Sequence, residues 1–115
     1  MALSVKELNL EQGMPTVDAA MGWLEAELAA ARKTGRPALK LIHGYGSTGR
    51  GGRLRTETRK YLENEKRLGH ICDYIPGERF SIFDEATRRA FQRCGSLRRD
   101  DDLERANNGV TIVVL

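Results

Sequence analysis

The chain gathers its reactive residue types in one stretch, Leu39-Lys40-Leu41-Ile42-His43-Gly44-Tyr45-Gly46-Ser47-Thr48-Gly49-Arg50-Gly51-Gly52-Arg53. A lone histidine, the side chain whose ordinary pKa lies nearest neutrality, closes an apolar run. Five glycines and the hydroxyls of Ser47 and Thr48 follow within ten positions, and Arg50, Arg53 and Arg55 bring full positive charge to the same place. Leu54 to Leu62 then reads as a helix. A strand, a glycine loop and a helix N-terminus together present unpaired backbone N–H groups and the positive end of a helix dipole to an anion. The glycines let the backbone approach a phosphate closely. A plain flexible turn would explain the glycines alone, but not the convergence of His43 and the arginines. Anion binding by Gly44, Tyr45, Gly46, Ser47, Thr48, Gly49, Arg50, Arg53 and Arg55 is the expectation.

Two nucleotide motifs can be tested against this loop. Gly44 to Gly49 satisfies G-x-G-x-x-G, but that fingerprint belongs to the first turn of a larger doubly wound sheet, and here the loop follows a second strand. The pattern G-x-x-x-x-G-K-[ST] fails, because Gly49 is followed by Arg50 and Gly51. Nucleotide hydrolysis is not expected.

At 115 residues with 40% hydrophobic and 30% charged side chains, the sequence describes one globular domain with an ordinary core. It holds no apolar run long enough for a membrane span, and its first residues lack a secretory pattern, so a cytoplasmic protein is expected. Cys72 and Cys94 are far apart and suggest neither a disulfide framework nor a zinc site; half-buried thiols are expected, with no metal and no cofactor. The net charge of +3 is unevenly spread. Residues 32–67 carry eleven bases against Glu57, Glu63 and Glu65, a balance of +8, whereas residues 1–31 stand at −4. A basic block centred on an anion loop is the footprint of a nucleic-acid face.

The positioning elements follow from periodicity and punctuation. Val5 to Leu10 alternates as a short strand. Thr16 is a good N-cap for a helix from Val17 to about residue 33, stopped by Gly35 and Pro37. Ala38 to His43 is the second strand. In the second helix, Leu54, Thr58, Tyr61, Leu62 and Leu68 form the inner face, flanked by Arg55, Arg59 and Lys66 on one side and Arg53, Lys60 and Arg67 on the other. His70 to Ile75 reads as a third strand. Ser81 to Asp84 has the form of a capping box opening a helix to Cys94, lined by Phe83, Ala86, Ala90 and Phe91. Leu97 to Asn108 is a charged connector whose Asp100-Asp101-Asp102 is expected to be a solvated surface. Val110 to Leu115 is apolar on both faces, which calls for a central strand covered on both sides.

Leu41-Ile42-His43-Gly44-Tyr45-Gly46 resembles the H-G-x-G motif of the Smr (small MutS-related) domain family. Leu8-Asn9-Leu10-Glu11 with Gly13, Thr16 and Val17 is similar to that family's L-D-L-H-G…T-V segment, and Val110 to Leu115 to its closing strand. The resemblance implies an α/β two-layer sandwich of order β-α-β-α-β-(α)-β with a mixed, about four-stranded sheet, similar to the C-terminal domain of translation initiation factor three. It implies one Smr-like domain over residues 1–115, with an inserted helical segment at about 79–106. It also implies binding of DNA or RNA and, in several members, strand cleavage. The sequence departs from the family where it has Asn9 and Glu11 in place of an acid and a histidine. An amide is a poor general base and a poor ligand for a divalent cation. His43, with or without Glu11, is what remains for acid–base work.

Three functions are therefore in view. A nucleic-acid-binding module holding backbone phosphates leads. A weak nicking endonuclease using His43, with or without Glu11, is the alternative, and a binder of small phosphorylated ligands the third. Nuclease activity is expected to be weak or absent. A monomer is expected, with a dimer as the alternative and room for a protein partner. Tyr45 is the one aromatic in the loop, so no obvious platform for unstacked bases is visible. The segment from about Ile82 to Cys94 is expected to pack on the sheet face left open by the two main helices or along the sheet edge, with Phe83 and Phe91 as core rings; the alternative is a dimer interface over that face.

Overall fold

The computed structural model describes residues 4–44 and 49–115, with backbone only for residues 49–51. Among the described residues, four strands and three helices alternate: β1 (Lys6–Asn9), α1 (Val17–Thr34), β2 (Ala38–Ile42), α2 (Gly49–Arg67), β3 (Asp73–Pro76), α3 (Glu85–Arg93) and β4 (Val110–Val114). Short 3-10 turns at Gly77–Arg79 and Gly95–Arg99 flank α3. The sheet order is β1-β2-β4-β3; β1 and β2 are parallel, and β4 runs antiparallel to both β2 and β3. This is the α/β sandwich with a mixed four-stranded sheet that the sequence implies. β4 is central and buried along its whole length, as its two apolar faces require.

Residue alternation sorts the core into two layers. Leu39, Leu41, Val113 and Leu115 join Leu8 and Leu10 under α1 and α2, against Leu24, Leu28, Leu54 and Leu62. On the other face, Ala38, Ile75, Ile112 and Val114 pack with Phe80, Ala90, Phe91, Cys94 and Leu97. The segment between β3 and β4 thus covers the second face.

The caps explain most of the boundaries. Thr16 Oγ1 accepts the Ala19 N–H at 3.1 Å, and Gly35 closes α1 in the left-handed region. β3 starts three residues later than the alternation of His70 to Ile75 suggests, because the α2 C-terminus holds the preceding backbone: Gly69 N–H donates to the Lys66 carbonyl and His70 N–H to that of Glu65. Leu68, expected on the inner face of α2, lies past the end of the helix and is 57% exposed.

The largest correction concerns the start of α3. Asp84, not Ser81, is the N-cap; its carboxylate accepts from the Thr87 N–H and hydroxyl, each at 3.0 Å. Ser81 is held instead by Glu104, which accepts from Ser81 Oγ at 2.7 Å and the Ile82 N–H at 2.6 Å. Phe83 therefore sits in a turn ahead of the helix and is 83% exposed, and Phe80, 1% exposed, fills the core in its place. The expectation of a buried ring holds for Phe91 alone of the two. Gly77 permits the sharp exit from β3, since a Cβ there would collide with the Asn107 carbonyl oxygen.

Asp100-Asp102 is not a merely solvated surface either. Lys40 alternates onto the α3 face of β2, where an apolar residue would be expected, and its side chain is 8% exposed. Nζ reaches Asp100 at 2.8 Å and Asp102 at 2.6 Å. Burial alone would lower the ammonium pKa, but hydrogen bonds to both carboxylates raise it above its ordinary value. Cys94 is buried and Cys72 exposed, so the two thiols differ more than expected.

Phe80→Ala and Phe91→Ala should each cost about 3–5 kcal/mol in urea unfolding, whereas Phe83→Ala should leave stability within about 0.5 kcal/mol. Equal losses at Phe83 and Phe91 would contradict this packing. Asp100→Ala combined with Asp102→Ala leaves a buried ammonium unpaired and should destabilise by about 3–5 kcal/mol, while adding Lys40→Met should recover most of that loss. A triple variant no more stable than the double would refute the clamp.

Candidate functional site

One end of the sheet collects the residues that could do chemistry. β1 and β2 finish there, so Glu11 and His43 come together, and the antiparallel register brings the start of β4 and the end of β3 to the same edge through Ile42–Val110 and Pro76–Thr111. The Leu10 N–H donates to the Ile42 carbonyl at 2.8 Å, extending the β1–β2 ladder up to the site. The N–H groups of His43 and Gly44 both donate to the Gly109 carbonyl at 3.0 Å.

His43 is fully buried, and its ring partners define its state. Nδ1 lies 3.0 Å from the Gly44 carbonyl oxygen, which can only accept, so Nδ1 carries the proton. Nε2 is then the acceptor, 2.8 Å from Thr111 Oγ1. That hydroxyl in turn accepts from Arg59 Nε at 3.2 Å. Arg59 forks onto Glu78, Nη1 to Oε2 and Nη2 to Oε1, both at 2.8 Å, and Nη2 also donates to the carbonyls of Asn108 and Val110 at 3.3 Å. A continuous chain, Glu78–Arg59–Thr111–His43–Gly44, thus ties α2 and the turn after β3 to the glycine loop.

The electrostatics agree with this geometry. Burial is the main force lowering the His43 pKa to about 4; Arg59 and Arg55 push the same way, against the Gly44 carbonyl. Burial works against the Glu78 carboxylate, yet the Arg59 fork outweighs it and holds Glu78 below the ordinary carboxylate value. At neutral pH, His43 is an uncharged ring with both nitrogens engaged. In this state its one ring lone pair is taken up by the Thr111 hydroxyl.

Glu11 lies beside the loop as an exposed residue. Gly44 adopts φ +78°, and a Cβ there would meet both Glu11 carboxylate oxygens at 2.8 Å. Asn9 Oδ1 accepts the Glu11 N–H at 3.0 Å, a turn-forming role that an amide fills well. Gly49 begins α2, whose first turn has no acidic residue; Arg53 is exposed and Arg55 half-buried. Tyr45, Gly46, Ser47 and Thr48, and the Arg50 side chain, lie outside the described residues.

The structure adds Arg59, Glu78 and Thr111 to this group. Thr111 is the single polar residue within Val110 to Leu115, which is a usable signal; the Arg59–Glu78 pairing has no local sequence signature. The basic block is also partly spent. Lys40, Arg59 and Lys66 pair with Asp100 and Asp102, Glu78 and Asp73. Among the described residues, Arg53 and Arg55 are in no ion pair.

A four-stranded mixed sheet of order β1-β2-β4-β3 with helices packed on its faces defines an α/β domain. The Smr domain family model matches residues 9–79, more than half of the chain, and the chain belongs to that family. The crystal structure of the Smr domain of Thermus thermophilus MutS2 is similar at a TM-score of 0.58 and 24% identity, covering 96% of this chain and 96% of that one, a likeness of fold. No curated protein matches the chain. Among the described residues, no helix is long and apolar enough to cross a membrane.

The His43 ring carries a pH signature. Its folded pKa of about 4 lies below the ordinary value near 6.5, so its contribution to stability is complete above about pH 6.5 and is lost as pH falls toward 4. His43→Gln should flatten unfolding free energy over that window relative to wild type, by up to about 3 kcal/mol. Identical pH profiles for the two proteins would contradict a buried neutral ring.

Proposed function

We propose that this Smr domain binds nucleic acid through backbone phosphates at the N-terminal end of α2, and that His43 holds the loop in place without cutting the strand. The observation that carries the reading is the engagement of both His43 nitrogens, while Arg53 and Arg55 on the first turns of α2 are, among the described residues, in no ion pair. A fully buried histidine with both ring nitrogens engaged is poorly placed to take a proton from a substrate, whereas guanidinium groups such as those of Arg53 and Arg55 can meet phosphate oxygens. The helix N-terminus adds its dipole and free N–H groups to the same site. Gly44, Tyr45, Gly46, Ser47, Thr48, Gly49 and Arg50 complete the proposed phosphate cradle.

One observation favours a second reading. The Glu11 carboxylate stands against Gly44, where it could serve as a base in a weak endonuclease. Purified protein should nevertheless leave labelled DNA and RNA intact; robust cleavage abolished by Glu11→Gln would install the endonuclease reading instead. A small phosphorylated ligand would be held without the steep salt dependence of a polyanion.

Binding should weaken steeply with salt, with a log–log slope of roughly 0.9 per neutralised phosphate on duplex DNA. Arg53→Ala and Arg55→Ala should each lower affinity about equally on all sequences and reduce that slope by about 1. Salt-insensitive binding, or two variants indistinguishable from wild type, would remove the proposal.

A further inference from the structure

The segment between β3 and β4 carries a second surface that the phosphate cradle leaves unused. It leaves β3 beside the site, because Pro76 pairs with Thr111 at the same end of the sheet as Ile42 with Val110. Five residues beyond the Glu78 anchor, Phe83 stands 83% exposed, next to Ile82 at 49%. Ile82, the neighbour of Phe83 in the chain, lines a groove of about 500 Å³ together with Arg88, Phe91, Gln92, Arg98 and Leu103.

The chemistry of the groove is selective. Its walls are apolar, its charges are two guanidinium groups, and its lining includes no acid. The Arg98 guanidinium lies 4.9 Å from the Phe91 ring centroid, and Arg88 Nη1 donates to the Ile82 carbonyl at 2.9 Å, so both guanidinium groups are held at the groove. The nearby Glu104 is already spent on Ser81 and Ile82. Ile82 and Phe83 are consecutive exposed apolar side chains, and Ile82 joins them to this acid-free groove.

We propose that this surface receives an unpaired nucleobase of the same strand whose phosphates lie at the α2 N-terminus. Phe83 and the apolar walls stack against the base faces, the Gln92 amide meets a base edge, and Arg88 and Arg98 take the flanking phosphates. The site makes the domain prefer single-stranded or locally unpaired nucleic acid over duplex. The inference rests on the nucleic-acid reading above and adds to it a substrate class.

The test compares an unstructured single strand with a blunt duplex of equal length in one buffer, by fluorescence anisotropy. Phe83→Ala should weaken single-strand binding about fivefold to a hundredfold, the range for loss of one stacked base, and change duplex binding less than twofold. Phe83→Trp should restore it. The melting temperature should stay the same, because the ring is already in water. Equal loss on both probes, or no loss on either, would overturn the stacking site while leaving Arg53- and Arg55-dependent binding in place. A change in sedimentation of the free protein in Phe83→Ala, with single-strand affinity intact, would reassign the surface to self-association and overturn the proposal. Wild-type protein that binds neither probe would overturn the underlying reading as well.

Discussion

The hydrogen-bond chain from Glu78 through Arg59 and Thr111 to His43 is the constraint on which the site depends. Each link belongs to a different part of the chain: the turn after β3, the middle of α2, the start of β4 and the end of β2. Because every donor meets an acceptor, the chain can exist only with the sheet in its observed register and α2 at its observed depth. It converts the position of α2 into the position of Gly44, whose N–H and that of His43 share the Gly109 carbonyl. A buried polar network of this kind is costly if half-formed and rigid if complete.

A second polar device secures the opposite face. Lys40 and its two aspartates replace apolar packing with a charged clamp, which ties the connector to the middle of the sheet. Buried pairs add little net stability compared with well-packed apolar groups, but they penalise alternative arrangements strongly. Here that penalty falls on any placement of the 95–106 segment that leaves Lys40 unpaired. The path of this segment governs Leu97 and Glu104, and through Glu104 the turn that holds Phe83 in water.

Much of the fold is legible in the sequence because local rules and burial agree. The Thr16 cap, the Gly35 stop and the doubly apolar β4 each have one sensible structural solution. What escaped was non-local. Phe83 satisfies a helical spacing with Ala86 and Ala90, yet a side chain twenty-one residues later, Glu104, captures Ser81 and moves the helix start to Glu85. Lys40 and Asp102 are distant in sequence, so no window can pair them. His43 looked like a reactive group because its type is reactive, and only its partners Thr111 and Gly44 show how its nitrogens are used. Asn9, an apparent defect in an acidic motif, has a structural role as the acceptor for the Glu11 N–H.

The central claim is that His43 organises the loop while arginines at the α2 N-terminus meet the nucleic acid. The most direct measurement is the two-bond proton–nitrogen NMR spectrum of the His43 ring, recorded at neutral pH without and with a saturating oligonucleotide. The expected result is a neutral ring protonated on Nδ1 in both spectra, with the Arg53 and Arg55 side-chain signals moving on binding. A ring that becomes charged or switches tautomer when the strand is added would contradict the account and make His43 a participant in chemistry.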